Sequence, residues 1–263
     1  MPADDSPASR SAVTARLRAA GCVYAEDEAD LLIAAARTPA DLASLVDQRA
    51  AGQPLEHVLG WAEFCGLRIA LDPTVFVPRR RTEFLASQAI ALARPGAVIV
   101  DLCCGSGALA AAMAAAIDRP EVHAADIDPA AVRCAGRNLA AAGGQVYEGD
   151  LYAPLPAALR GRVDILLANV PYVPTGDVGL LPPEARDFEA RVALDGGPDG
   201  LGVLRRVAAG APQWLAPGGH LLSEISEHQE AAATGAATGS GLSARVARSR
   251  AQGATVLIAT RPG

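Results

Sequence analysis

The chain has 263 residues, 51% of them hydrophobic, and a formal net charge of -6. That length and composition suit one large α/β domain with a small accessory domain. The acidic balance argues against a stable nucleic-acid partner, which leaves a basic footprint. No apolar run of about 18 residues is free of charges, so no membrane helix is expected. The start, MPADDSPASR, is acidic and lacks the apolar centre of a signal peptide. The cysteines are Cys22, Cys65, Cys103, Cys104 and Cys134. Their odd number and the lack of a C-x-x-C pair speak against a disulfide framework and against a zinc site. A reduced, cytoplasmic, metal-free monomer is expected.

Residues 1–9 are polar and small and read as a frayed end. Helical spacing covers 11–20 and 26–37; in the second, Ala29, Leu32, Ile33 and Ala36 share a face. Thr38-Pro39 stops that helix and starts another, with Leu42, Leu45 and Val46 inward. Residues 63–71 and 75–77 read as two short strands joined around Asp72-Pro73. Arg79-Arg80-Arg81 follows, either a solvated loop or a contact for an anion on a cofactor or protein substrate. A helix over 82–93 is expected, capped by Thr82.

From Ala97 the pattern alternates between strands and helices. Residues 97–102 form an apolar run ending in an acid, as a central parallel strand buried on both faces does. Further strands are expected at 122–125, 145–148, 163–168, 220–225 and 255–260. Helices are expected at 108–117, from Pro129 to about 142, and at 201–214. A weak helix starts near Glu227 and dissolves into Gly, Ser and Thr by 241. Alternation of this kind implies a doubly wound, Rossmann-like α/β sheet with ligands at the carboxyl ends of its strands.

Four strand ends carry the chemistry. Asp101-Leu102-Cys103-Cys104-Gly105-Ser106-Gly107 joins the first strand of the sheet to its helix, where glycines let a ligand approach the backbone. Asp126 ends the second strand, where an acid grips ribose hydroxyls; it also reads as a turn acid. Asp150 and Leu151 follow the third, where an adenine would rest; both also suit ordinary loop structure. The spacing differs from G-x-G-x-x-G, which leans away from a dinucleotide. S-adenosyl-L-methionine instead needs an acid near its amino group, a role open to Asp101, and backbone room beside its methionine chain. The fourth strand end is Asn169-Val170-Pro171-Tyr172, an amide followed by X-Pro-aromatic, able to grip a planar nitrogen group.

With these residues in place, the chain resembles the PrmC/HemK family of protein-(glutamine-N5) methyltransferases. Arg49-Ala50-Ala51-Gly52-Gln53-Pro54 with Gly60 is similar to its linker signature, and Val77-Pro78-Arg79 with Thr82-Glu83 to its I-P-R-x-x-T-E segment. Asn169 to Tyr172 sits at its N-P-P-Y. Pro183-Glu184-Ala185-Arg186 and Leu194-Asp195-Gly196-Gly197-Pro198-Asp199-Gly200-Leu201 resemble its downstream run. That run separates the family from nucleic-acid aminomethyltransferases, which share the tetrapeptide. The departures are Cys103 for the first glycine, Val170 for the first proline, Arg80 and Arg81 for a Pro-acid pair, and Ser226 after Glu224-Ile225. They point to a less characterised branch.

The resemblance implies a helical substrate-docking domain at 1–60, a β-hairpin linker at 61–81 and a class I methyltransferase domain at 82–263. It implies S-adenosyl-L-methionine as cofactor, held by Asp101, Cys103, Cys104, Gly105, Ser106, Gly107, Asp126, Asp150, Leu151 and Asn169. The acceptor is a protein glutamine, the Gly-Gly-Gln glutamine of peptide chain release factors being the family's best-known target and a ribosomal protein another. The Asn169 side-chain oxygen and the Val170 carbonyl would align the amide N–H groups. Pro171 biases Val170 to extended backbone. Tyr172 would wall the amide and face the sulfonium, a contact of ~0.5–2 kcal/mol. Two competing readings remain: a nucleic-acid aminomethyltransferase, which flips a base into its pocket, and a non-catalytic cofactor-binding protein.

Overall fold

A computed structural model describes residues 9–263; the expected frayed end lies outside them except for Ser9. Four helices come first: α1 (Arg10–Ala19), α2 (Ala25–Ala35), α3 (Pro39–Ala50) and α4 (Leu55–Leu59). Ser9 caps α1 by accepting the Ala12 N–H, and Thr38 caps α3 by accepting that of Asp41, with Pro39 in the first turn. Their apolar faces close on a cluster of their own, built on Val13, Leu17, Leu32, Leu42 and Val46.

The hairpin differs from its expected place. β1 (Trp61–Phe64) and β2 (Leu67–Ala70) pair antiparallel. Their turn is Cys65-Gly66, at φ 50° and 73°, and not Asp72-Pro73. Two consecutive left-handed residues match the twist of the flanking strands, so they close a two-residue hairpin inside what reads as one apolar run. Val75 and Val77 are buried, and among the described residues they join no strand; an isolated bridge links the neighbouring Thr74 to Glu189. α5 (Glu83–Leu92) follows a 3-10 turn over Arg80–Thr82. Thr82 already has helical dihedrals, φ -68° and ψ -16°, and makes no capping bond. A cap needs extended backbone, so its hydroxyl turns elsewhere.

The sheet is built from β3 (Val98–Leu102), β4 (Glu121–Asp126), β5 (Gln145–Glu148), β6 (Val163–Ala168), β7 (Leu215–Ile225), β8 (Ser243–Ser249) and β9 (Ala254–Thr260), in the order β5-β4-β3-β6-β7-β9-β8. The first five are parallel and β9 runs antiparallel between β7 and β8. Helices α6 (Ala108–Ala116), α7 (Pro129–Leu139), α8 (Pro183–Phe188), α9 (Gly202–Trp214) and α10 (Glu230–Gly239) complete the chain. Along β3, Val98, Val100 and Leu102 join the core under α9 and α10, while Ile99 joins the core under α5, α6 and α7. This two-residue alternation puts Asp101 on the α6 side.

β8 has no counterpart in the sequence pattern. It is an edge strand, and its Ser243, Arg245 and Arg248 stay exposed. Its apolar signal is therefore weak. The 3-10 turn Glu227–Gln229 that leads into the helix before it is started by a capping box between Ser226 and Gln229. Chain order reverses between β3 and β6, which opens a crevice at their carboxyl ends. Among the described residues no helix is long and apolar enough to cross a membrane.

Candidate active site

One cavity of about 400 Å³ fills that crevice. One side of it is a turn of positive-φ residues: Cys103 at 55°, Gly105 at 54° and Gly107 at 76°. The two glycines have different reasons. A Cβ on Gly105 would meet nothing nearer than the Phe76 Cβ at 4.0 Å, so the space above it is open to a ligand. A Cβ on Gly107 would press on Ala135 at 3.0 Å, so Gly107 serves the packing of α6 on α7. The Gly105 N–H donates to Asp126 Oδ2 at 2.8 Å and the Asp128 N–H to Oδ1 at 2.9 Å. Each carboxylate oxygen keeps a second lone pair for a ligand. Burial raises the Asp126 carboxyl above its ordinary range.

A second wall of the cavity follows β6. Asn169 Oδ1 is buried and has no hydrogen-bond partner among the described residues. A buried acceptor left open costs about 1–3 kcal/mol, so it marks a place kept for a donor. Beside it Val170 is 2% exposed, belongs to the core and borders the cavity. Tyr172 is anchored by its hydroxyl, which donates to Glu224 Oε1 at 3.1 Å. Arg81 bonds both partners, its Nε reaching Glu224 Oε1 at 2.8 Å and its Nη2 the Tyr172 hydroxyl. Thr82 donates to the other Glu224 oxygen at 2.7 Å. Burial, then the neighbouring Glu224, pushes the Tyr172 phenol up, so it stays protonated.

The loop backbone is moulded by the Leu194–Leu201 segment. The Val173 N–H donates to the Leu194 carbonyl at 3.2 Å, and the Gly196 N–H returns to that of Val173 at 2.8 Å. A Cβ on Gly196 would come within 2.6 Å of the Pro171 carbonyl, and one on Gly200 would overlap that of Tyr172. Only glycine lets the two backbones lie this close.

Comparison with known proteins agrees with this geometry. The family model for the methyltransferase small domain matches residues 69–180. A release factor glutamine methyltransferase of Mycolicibacterium smegmatis is 40% identical over 226 residues, 79% of this chain and 80% of that protein. The chain belongs to the protein-(glutamine-N5) methyltransferase family. A second release factor glutamine methyltransferase, from Geobacter sulfurreducens, is 40% identical over 192 residues, 71% of this chain and 66% of its own length. A 4-amino-L-phenylalanine/4-methylamino-L-phenylalanine methyltransferase of Streptomyces pristinaespiralis is 35% identical over 82% of this chain and 75% of that protein. Among solved structures, a methyltransferase from Pyrococcus furiosus superposes with a TM-score of 0.58 at 18% identity, covering 75% of this chain and 90% of that one. At that identity it shows the fold, a class I methyltransferase sheet.

In this methyltransferase, Cys103, Cys104, Gly105, Ser106, Asp126, Asp150, Leu151 and the stretch from Asn169 to Tyr172 all line the cavity. Asp101 and Gly107 do not. Asp101 is wholly buried beneath the turn, with Oδ2 accepting the Ala110 N–H at 3.2 Å and Oδ1 without a partner. Burial lifts its carboxyl to about 8. Asp150 is exposed and paired with Arg206 at 2.5 Å, and Leu151 is buried at φ 51°.

The arginine triplet is divided between ion pairs within the protein and solvent. Arg79 braces the buried Glu189 at 2.7 Å and Arg81 braces Glu224, while Arg80 is exposed. In the sequence Glu224 and Gly200 stand inside motifs with no site role of their own, and Phe76 is given none at all. Glu224 carries a usable signal, since an acid near the end of an apolar strand is also what marks Asp101. Phe76 carries none, because only the fold brings it over the Gly105 turn.

Proposed function

We propose that this chain transfers a methyl group from S-adenosyl-L-methionine to the side-chain amide nitrogen of a protein glutamine, that of the Gly-Gly-Gln sequence of a peptide chain release factor. The unpartnered Asn169 Oδ1, buried on the wall of the crevice, carries this reading. The residues present fit the cofactor. Gly105 leaves room for its methionine chain, Asp126 has lone pairs for ribose hydroxyls, and Asp150 with Leu151 borders the adenine end.

S-adenosyl-L-methionine supplies an electrophilic methyl group. The protein must make a poor nucleophile competent, because an amide lone pair is delocalised into its carbonyl. Asn169 Oδ1 and the Val170 carbonyl accept the two amide N–H groups and turn the nitrogen toward the cofactor. Among the described residues, no protein donor occupies either oxygen. Valine offers the same carbonyl as proline, and Pro171 holds Val170 extended. Glu224 and Arg81 fix the Tyr172 ring as a wall. Rate then comes from positioning. The helical part at 1–60 would dock the protein substrate and the hairpin at 61–81 would join it to the catalytic part at 82–263. Arg49 supports this division: it is buried against Glu28 at 2.6 Å and reaches Glu184, on the cavity wall, at 2.7 Å.

A second acceptor class is favoured by one observation, the 35% identity to the 4-amino-L-phenylalanine methyltransferase over 82% of the chain. A free aromatic amine would place its nitrogen between the same two oxygens. Labelled cofactor incubated with release factor, bulk RNA and 4-amino-L-phenylalanine in separate reactions tests the proposal. Label in the release factor alone is the expected result. Label in RNA, or in the free amino acid alone, contradicts it.

A further inference from the structure

Tyr172 is gripped at both ends by the stretch that leaves β7. Glu224 holds its hydroxyl, and five residues later Gln229 holds its backbone. The Gln229 side chain is 8% exposed. Its Nε2 donates to the Tyr172 carbonyl at 2.9 Å and to the Asp199 carbonyl at 3.2 Å. Its Oε1 accepts the Ser226 N–H at 3.2 Å. One amide therefore ties three segments: the Asn169 loop, the Leu194–Leu201 segment and the turn into α10.

We propose that Gln229 is a positioning residue for methyl transfer, fixing the Asn169–Tyr172 loop by clamping the Tyr172 and Asp199 carbonyls together. This rests on the reading that the loop receives the acceptor. The choice of side chain supports it. A capping box is served equally by glutamine or glutamate, since both offer an oxygen to the cap N–H. Only the primary amide adds two donors on the far side, where two carbonyls converge. The cap alone does not require an amide, whereas the loops do. Gly200 shows how tight the junction is: a Cβ there would overlap the Tyr172 carbonyl and sit 2.5 Å from Gln229 Nε2.

Gln229→Glu separates the two tasks, because it keeps the capping oxygen and replaces the donors by a second acceptor facing both carbonyls. With the full chain and a release factor as acceptor, kcat should fall by about tenfold to a hundredfold, the size expected from a misplacement near 1 Å. Cofactor affinity measured by calorimetry should stay within about twofold, and acceptor KM should change far less than kcat. Independently of any substrate, hydrogen exchange at the Gly196 and Thr175 amides, which bond the Val173 and Gly197 carbonyls, should quicken by about fivefold or more. Exchange in β3 should not change. Wild-type kcat with wild-type exchange at those amides overturns the proposal. So does a loss of cofactor affinity parallel to kcat, which marks a general structural role. If the wild-type chain methylates no glutamine, the acceptor reading fails instead, and the exchange measurement still decides the clamp.

Discussion

The two walls of the cavity are held by different means. The wall proposed for the cofactor is local: Cys103 to Gly107 lie in one turn, and Gly105 is tied to Asp126 only 21 residues on. The wall proposed for the acceptor is assembled from afar. Thr82 meets Glu224 across 142 positions, Gln229 meets Tyr172 across 57, and the backbones of Gly196 and Gly200 press on the loop directly. A local turn can absorb a single change, as Cys103 at φ 55° shows by standing in a left-handed position that suits glycine. A wall made of backbone against backbone has no slack to absorb one.

The largest expected effect lies on the acceptor wall. Asn169→Ala should lower turnover by about 10²–10³-fold, typical for losing one positioned polar group, with cofactor affinity nearly unchanged in a binding titration. An equal loss of cofactor affinity would dissolve the distinction between the walls. Gly200→Ala comes next. Its Cβ cannot fit against the Tyr172 carbonyl, so the loop must move, and turnover should fall by on the order of 10²-fold while the cofactor still binds.

On the cofactor side the effects fall on stability and not on turnover. The Asp101 carboxyl is raised to about 8 from an ordinary value of 3.8. The folded protein therefore holds a proton that the unfolded chain has released, and stability falls as pH rises from about 4 to about 8, then levels off. Asp101→Asn removes that slope. In urea melts without cofactor, the mutant should gain on the wild type by at most about 1.4 kcal/mol per pH unit across that window. Parallel pH profiles would show that Asp101 is ionised in the fold. Cys103→Gly should be the mildest change: relief of a left-handed non-glycine residue, less the entropy of glycine, leaves a gain of about 0.5–1 kcal/mol. A destabilised mutant would mean that the Cys103 side chain contributes packing that outweighs its strain.

The same contrast governs what could be read from the chain. β3 and β6 are legible because strands buried on both faces leave unbroken apolar runs, and the β3–α6 turn is legible because its glycines and acid are contiguous. The hairpin is misplaced because Cys65-Gly66 makes its turn inside an apolar run, where Asp72-Pro73 is the stronger turn signal. β8 escapes because an edge strand shows half its side chains to water. Thr82 looks like a helix cap and is instead a partner of Glu224. Asn169 can be named from its strand end and its neighbours. What surrounds it cannot, since Gln229 and Phe76 have meaning only once the loops are brought together.

The central claim is that the loop after β6 presents a glutamine amide to the cofactor. Its most direct test is mass spectrometry of a release factor incubated with S-adenosyl-L-methionine and either the wild-type chain or the Asn169→Ala variant. The account predicts one new methyl group on the glutamine of Gly-Gly-Gln with the wild type and almost none with the variant. No methyl group on that glutamine, or equal methylation by both proteins, would contradict it.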